Sequence, residues 1–215
     1  MKLYGYWRSL AAFRVRIALN LKGQPFDVIS TDLIKGDQFD PEYLKLNPQG
    51  VVPTLITDDG VALNQSMAIL EYLDEVYPEP SLLPADPLAR ARVRALCMIA
   101  VADIHPLVVP RIRKYITQDM GHSEDELNAW IGNWTKKGLE AIEAHLSAHA
   151  GTYSEGDAIS LGDLCVIPQV GAAALFKVPL DPYPTAKRIF DTCMENPAFF
   201  DARPQAQPDF PEDMK

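Results

Sequence analysis

Three short segments hold the residue types that a small-molecule site needs. Ser9, in Trp7-Arg8-Ser9-Leu10-Ala11, lies where a strand-like stretch gives way to a helix-like one. A hydroxyl there either caps the helix or meets a ligand at the free N–H groups of its first turn. Capping is the commoner role for serine, and both readings stand at this point. In Asn47-Pro48-Gln49-Gly50-Val51-Val52-Pro53-Thr54-Leu55, Pro53 cannot donate to a strand ladder. A cis Val52-Pro53 bond would turn the Val52 backbone toward an extended, peptide-like ligand, whereas a trans proline at a strand start is the commoner arrangement. Asn64-Gln65-Ser66 precedes a third apolar run, where Ser66 either caps a helix or helps its N-terminus receive a carboxylate. Cys97, Cys165 and Cys193 are odd in number, far apart and form no CxxC pair. They predict a reduced, cytoplasmic protein with buried thiols, without disulfides or a zinc site.

The elements that must position these residues follow from periodicity and punctuation. Lys2–Tyr6 predicts a strand, Ala11–Lys22 a helix stopped by Gly23, and Phe26–Ile29 a second strand. A loop with a short helix leads to Val52–Thr57 and Val61–Leu63, a hairpin around Asp58-Asp59-Gly60, and then to a helix over Ser66–Tyr77. The order βαβ then ββα predicts a mixed sheet. Pro78, Pro80, Pro84 and Pro87 forbid continuous structure and mark a linker. Beyond it the pattern is helical: Leu88 to about Gln118, broken by Pro106 and Pro110; Ser123 to about His149; Leu164–Phe176; and Pro184–Glu195. Ser123…Glu126 and Ser160…Asp163 read as capping boxes. The expected divisions are therefore a small α/β domain over 1–80, a linker over 81–87 and an all-helical domain over 88–215.

Composition narrows the partners. The 215 residues carry 20 Lys+Arg against 29 Asp+Glu, a net charge of −9. The acidity is even, with 7 basic and 11 acidic residues over 1–80 and 13 and 18 over 81–215. A polyanionic backbone would be repelled, so nucleic acid is not an expected partner. No apolar run approaches the roughly 18 residues of a membrane span, and no membrane partner is expected.

These segments, in order and spacing, resemble the glutathione S-transferase superfamily, and most closely its zeta class. The resemblance spans nearly the whole chain. It is carried by Tyr6-Trp7-Arg8-Ser9, Arg14–Leu19, Leu44–Leu55, Gln65-Ser66, Ile69–Leu73, Leu82–Asp86, Asp103-Ile104-His105-Pro106, Asp163-Leu164, Val166–Val170 and Phe176–Pro184. It implies a thioredoxin-like, glutathione-binding domain and an all-helical domain completing the pocket of the second substrate, in a homodimer. It also implies that Ser9 activates the glutathione sulfur and that Val52, beside cis Pro53, pairs with the cysteinyl backbone. Gln65 and Ser66 would hold the γ-glutamyl carboxylate, with Gln38 and His105 as further glutathione contacts. Asp163 would serve folding. The implied reaction is glutathione-dependent cis–trans isomerisation of a small unsaturated dicarboxylate such as maleylacetoacetate or maleylpyruvate. Arg8 beside Ser9, and then Arg111, are the first candidate carboxylate partners, while Arg14 and Arg16 fit a solvated or structural helix charge at least as well.

Two departures from the family pattern matter. Ser9-Leu10-Ala11 stands where these isomerases show Ser-Ser-Cys, and Leu175 stands where they place an arginine for the substrate carboxylate. Lys177, two residues on in a helix, would point elsewhere. Leu10, Val108 and Val109 add apolar surface. A transferase acting on a less charged small-molecule electrophile is therefore the alternative. A non-catalytic interaction module ranks behind both, because Ser9, Gln65 and Ser66 are retained.

Overall fold

The computed structural model describes residues 1–214, which divide into two compact units. The first comprises Met1–Ser81 together with the chain from Glu195 onward, and the second is Leu82–Met194.

In the first unit, β1 (Lys2–Gly5), α1 (Leu10–Leu21) and β2 (Asp27–Ser30) form a right-sized crossover, with Gly23 at φ 61 ending α1. A short helix, α2 (Pro41–Leu46), leads to β3 (Thr54–Ile56), β4 (Ala62–Asn64) and α3 (Ser66–Val76). The strand order is β2-β1-β3-β4: β1 and β2 are parallel, and the other two pairings are antiparallel. This is the mixed sheet that the sequence order predicts. Leu3 faces Val28 on one side and Leu55 on the other. With Ile17, Leu19, Ile69, Leu70 and Leu73 it makes an apolar core in which α1 packs on α3. Gly60, at φ 81, turns the β3–β4 hairpin.

The second unit is helical. Its first rod comprises α4 (Pro87–Met98), a π-helical stretch Ile99–Ile104, α5 (His105–Val108), α6 (Pro110–Lys114) and a π-helical stretch Tyr115–Asp119. Val109 at ψ 156 breaks the rod between Pro106 and Pro110. Then come α7 (Glu124–His149), α8 (Leu161–Ala173) with a 3₁₀ turn over Ala174–Phe176, and α9 (Pro184–Met194). α4 and α9 both pack on α8, and Leu96, Cys97, Leu139, Ile142, Leu164, Ile167 and Ile189 are fully buried. Both capping boxes form.

Two expectations change. The helical division does not run to the C-terminus: after α9 the chain joins the first unit through α10 (Pro197–Phe200), which packs on α1. The rod Pro87–Asp119 also contains an 18-residue window of mean hydropathy 1.6, which by length and composition alone meets the membrane-span test. Asp103, His105 and Pro106 interrupt its apolar character in the sequence. Its Val93, Leu96, Cys97, Ala100 and Ile104 are buried within the protein, although only 28% of that window is buried.

Candidate functional site

Ser9 closes the turn between β1 and α1. Its N–H donates to Tyr6 O at 2.9 Å, and its carbonyl accepts from Phe13 N at 2.9 Å. Its Oγ accepts from Ala12 N at 3.2 Å, so Ser9 is the N-cap. The two readings of Ser9 do not compete. Capping uses a lone pair, and the hydroxyl hydrogen is left to donate. α1 carries no acidic residue in its first turn, so the positive end of the helix is not neutralised from within. Gly5 lets α1 approach β1 closely, since a Cβ there would lie 3.3 Å from that of Ala12.

The Val52-Pro53 bond is cis. A buried polar cluster shapes this loop. Tyr43 Oη donates to Val51 O at 2.5 Å, Asn47 Nδ2 reaches the same oxygen at 2.8 Å, and Thr54 Oγ1 donates to Asn64 Oδ1 at 2.8 Å. Val52 itself is buried, yet neither its N–H nor its C=O is hydrogen-bonded within the chain among the described residues. These two groups are therefore available to a partner from outside the fold. Gly50, at φ 62, sits against Phe39 and Gln38 O, where a Cβ would come within 3.0 Å of the ring. Gln38 is buried; its amide nitrogen reaches Leu33 O at 3.5 Å, while Oε1 is buried without a partner.

The third segment is strained. Gln65 adopts φ 70 and ψ 116, costly for any residue with a Cβ, and gives α3 no side-chain cap. Its Nε2 donates to Gln49 Oε1 at 2.6 Å, joining this turn to the cis-proline loop. Ser66 is buried, and its Oγ accepts from Arg14 Nη1 at 3.3 Å, joining it to α1. Within the first unit, Gln65 is thus tied to the cis-proline loop through Gln49, and Ser66 to α1 through Arg14.

A family model described as "Glutathione S-transferase, N-terminal domain" matches residues 8–76. The maleylacetoacetate isomerase of Pseudomonas aeruginosa is 44% identical over 98% of this chain and 99% of its own. A solved maleylpyruvate isomerase, described as a bacterial glutathione S-transferase in the zeta class, superposes with a TM-score of 0.94 at 45% identity, covering 97% of this chain and 99% of its own. The chain belongs to the zeta class of the glutathione S-transferases. The maleylacetoacetate isomerase of Methylobacterium extorquens, solved with malonate and glutathione bound, is also similar (TM-score 0.95, 43% identity, 98% and 100% covered).

In this zeta-class chain the arginines do not share one role. Arg8 is exposed beside Ser9. Arg14 and Arg16 are 0% and 2% exposed, and the structure corrects any surface reading of them. Arg16 donates to Ala202 O at 2.9 Å and Trp7 O at 3.3 Å. Burial lowers its pKa to about 10, against an opposing pull from Asp209. In the second unit, His105 opens α5, half-buried, and Arg111 is exposed on α6. Leu175 is 54% exposed in the turn after α8. Lys177 is not helical but left-handed, at φ 55, and ends that turn.

All three cysteines are buried, and burial, reinforced by Asp163, pushes the Cys193 thiol well up. A protein thiolate is not on offer there. No group of three or more metal-ligating side chains occurs among the described residues. Sequence reasoning missed the Arg14–Ser66 bond and the Gln65 strain. An arginine inside the apolar run Phe13–Leu19 was a usable signal for the first, while nothing local marks the second.

Proposed function

We propose that this protein is a glutathione-dependent isomerase of a small cis-unsaturated dicarboxylate, of the maleylacetoacetate or maleylpyruvate kind. The observation that carries the reading is the Ser9 hydroxyl, fixed as the cap of α1 with its hydrogen uncommitted. Similar proteins are named as isomerases of these acids, and one binds glutathione with the dicarboxylate malonate. When bound, glutathione supplies the thiol whose anion adds to the conjugated cis double bond, leaving a single bond that rotates before the sulfur departs.

The chain's residues make that anion available. A free thiol near pKa 8.5 is only about 3% ionised at pH 7, and lowering it by two units would raise that to about 75%. Two units correspond to about 2.7 kcal/mol, within reach of one charge-assisted O–H donor plus the helix N-terminus. Gln65 and Ser66 would hold the γ-glutamyl carboxylate, the Val52 N–H and C=O would pair with the cysteinyl backbone, and Gln38 completes the set within the first unit. Arg8, an exposed guanidinium beside Ser9, is the partner proposed for a carboxylate of the substrate.

The exposed, apolar Leu175 favours a second reading, transfer of glutathione to a less charged electrophile. Turnover separates the two. Incubation with maleylpyruvate or maleylacetoacetate and a sub-stoichiometric amount of glutathione should convert the acid completely to its trans isomer and return the thiol. Consumption of one thiol per product favours transfer instead, and an inert mixture with both acids refutes isomerisation. A homodimer belongs to this reading, supported by exposed apolar side chains at Ile34 and Phe39, and sedimentation measures it.

A further inference from the structure

The peptide of Trp7 is held from three sides by residues distant in the chain. Its N–H donates to Asp209 Oδ2 at 2.9 Å, and its C=O accepts from Arg16 Nη2 at 3.3 Å. Its ring meets Phe210 edge-on, with centroids 5.0 Å apart. The same Asp209 oxygen accepts from Ser30 Oγ at 3.0 Å, so one carboxylate ties the end of β2, the turn after β1 and the C-terminal segment together. That segment is anchored along α1, where Arg16 Nε holds Ala202 O at 2.9 Å and Asn20 Nδ2 holds Ala198 O at 3.0 Å. Gln207 Nε2 spans Asp201 O and Arg203 O at 3.1 and 3.0 Å, which fixes the bend leading to Asp209. Gln207 and Phe210 are both buried.

Trp7 lies two residues before Ser9. The only torsions between its clamped peptide and the Ser9 hydroxyl are those of Trp7, Arg8 and Ser9 themselves. The far side of Ser9 is fixed by α1, through Phe13 N and Ala12 N. Release of Trp7 therefore leaves the near end of this turn held only by the bond from Ser9 N–H to Tyr6 O, while its far end stays fixed on α1. Hydrogen-bond donation to a thiolate tolerates roughly half an ångström of misplacement before it weakens.

We propose that Asp209 and Phe210 are positioning residues, and that the C-terminal segment is a strap that sets the Ser9 hydroxyl against the sulfur. The inference rests on the reading of Ser9 as the group that activates glutathione. Charge alone predicts the opposite result from positioning. A carboxylate near a thiolate disfavours it, so an electrostatic role for Asp209 would make its removal lower the thiol pKa. The other charged groups around this turn are Arg16, Arg8 and Asp32, the last two acting on the neighbouring Tyr6 phenol.

The experiment is an ultraviolet titration of the thiolate in the glutathione complex of the full chain, paired with the pH profile of kcat/KM. Asp209→Ala should raise the bound thiol pKa by about one unit, a tenfold loss of thiolate and of kcat/KM below that pKa. Activity should recover at higher pH, and KM for glutathione should change little, since Val52, Gln65 and Ser66 are untouched. Asp209→Asn, which keeps an acceptor oxygen for Trp7, should restore the wild-type profile. Should Asp209→Ala fail to fold, Phe210→Leu replaces it, with the same direction of shift expected. A folded Asp209→Ala or Phe210→Leu with a wild-type thiol pKa overturns the strap, and so does a lowered one. A wild-type protein that binds no glutathione, or binds it without ionising it, overturns the functional reading first and the strap with it.

Discussion

Gln65 offers a substitution in which stability and binding should move in opposite directions. Its backbone at φ 70 and ψ 116 lies outside the regions open to side-chain-bearing residues, and such a residue costs about 1–3 kcal/mol. Glycine, having no Cβ, adopts that conformation at lower cost but gives back about 0.4–1 kcal/mol through the larger freedom of its unfolded chain. The Gln65→Gly variant also loses the exposed hydrogen bond to Gln49, which contributes little because water replaces it. The net expectation is a gain of about 1 kcal/mol, or roughly 3 °C in Tm for a chain of this length. If the side chain holds a carboxylate of glutathione, that contact is worth about 1.5–3 kcal/mol, so affinity should fall tenfold or more. Differential scanning calorimetry and isothermal titration with glutathione measure the two changes on one sample. A variant that is less stable than wild type would show that the backbone carries no strain to relieve. A variant with wild-type affinity would show that Gln65 does not touch the ligand.

The remaining expectations are as follows. Ser9→Ala removes a cap worth about 1 kcal/mol and the donor to the sulfur; Tm should fall modestly, and the pH profile of kcat/KM should move up toward the free thiol's pKa near 8.5. Asp163→Ala leaves the N–H groups of Ser154 and Ser160, each held at 2.8 Å, buried and unpaired, at a cost of about 3–5 kcal/mol; thermal melting should show a loss of about 10 °C or an insoluble product. Glu143 caps α9 by accepting from Thr185 N and Ala186 N at 2.9 Å each, and Glu143→Gln should lose about 1–2 kcal/mol at neutral pH. Burial works against the Glu143 carboxylate, but the bonds from Ala186 and Thr185 outweigh it and hold its folded pKa below the ordinary value. Its contribution is therefore present above the unfolded carboxylate range and lost as pH falls through the folded pKa. The gap between wild type and Glu143→Gln in urea melts should close on acidification, and a gap independent of pH would refute the assignment.

What could be read from the sequence was what short-range chemistry decides. The two capping boxes, the Gly23 stop, the Gly60 turn and the proline breaks each depend on residues within four positions of one another. The mixed sheet follows from strand and helix order alone. The parts that could not be read depend on partners far along the chain. Arg16 is buried because Ala202, 186 residues away, offers it a carbonyl, and the segment after α9 joins the first unit through that and similar bonds. The π-helical stretches on either side of α5 and α6 have no local mark beyond the prolines that frame them. In the candidate site, Ser9 and Ser66 were visible as hydroxyls at helix starts. The conformation of Gln65 was not, because it is imposed by what the turn must join.

The arginines give the charge argument its final form. A net charge of −9 would repel an anionic ligand if it were spread over every approach. The protein instead keeps three positive groups inside its first unit, Lys22, which is paired with Asp74, and Arg14 and Arg16, where burial makes their charge felt more strongly than on a solvated surface. Arg16 is spent on the carbonyls of Ala202 and Trp7 and faces Asp209, so its field serves the fold. Arg14 is placed differently, because its Nη1 donates to the Ser66 hydroxyl. That bond occupies a lone pair of Ser66 Oγ and leaves the hydroxyl able to donate. A carboxylate received by Ser66 would then lie one hydrogen bond from a buried guanidinium, with the hydroxyl polarised by it. Positive charge is in this way presented at a single atom rather than over a surface. An acidic protein can select an anion there without attracting polyanions everywhere else.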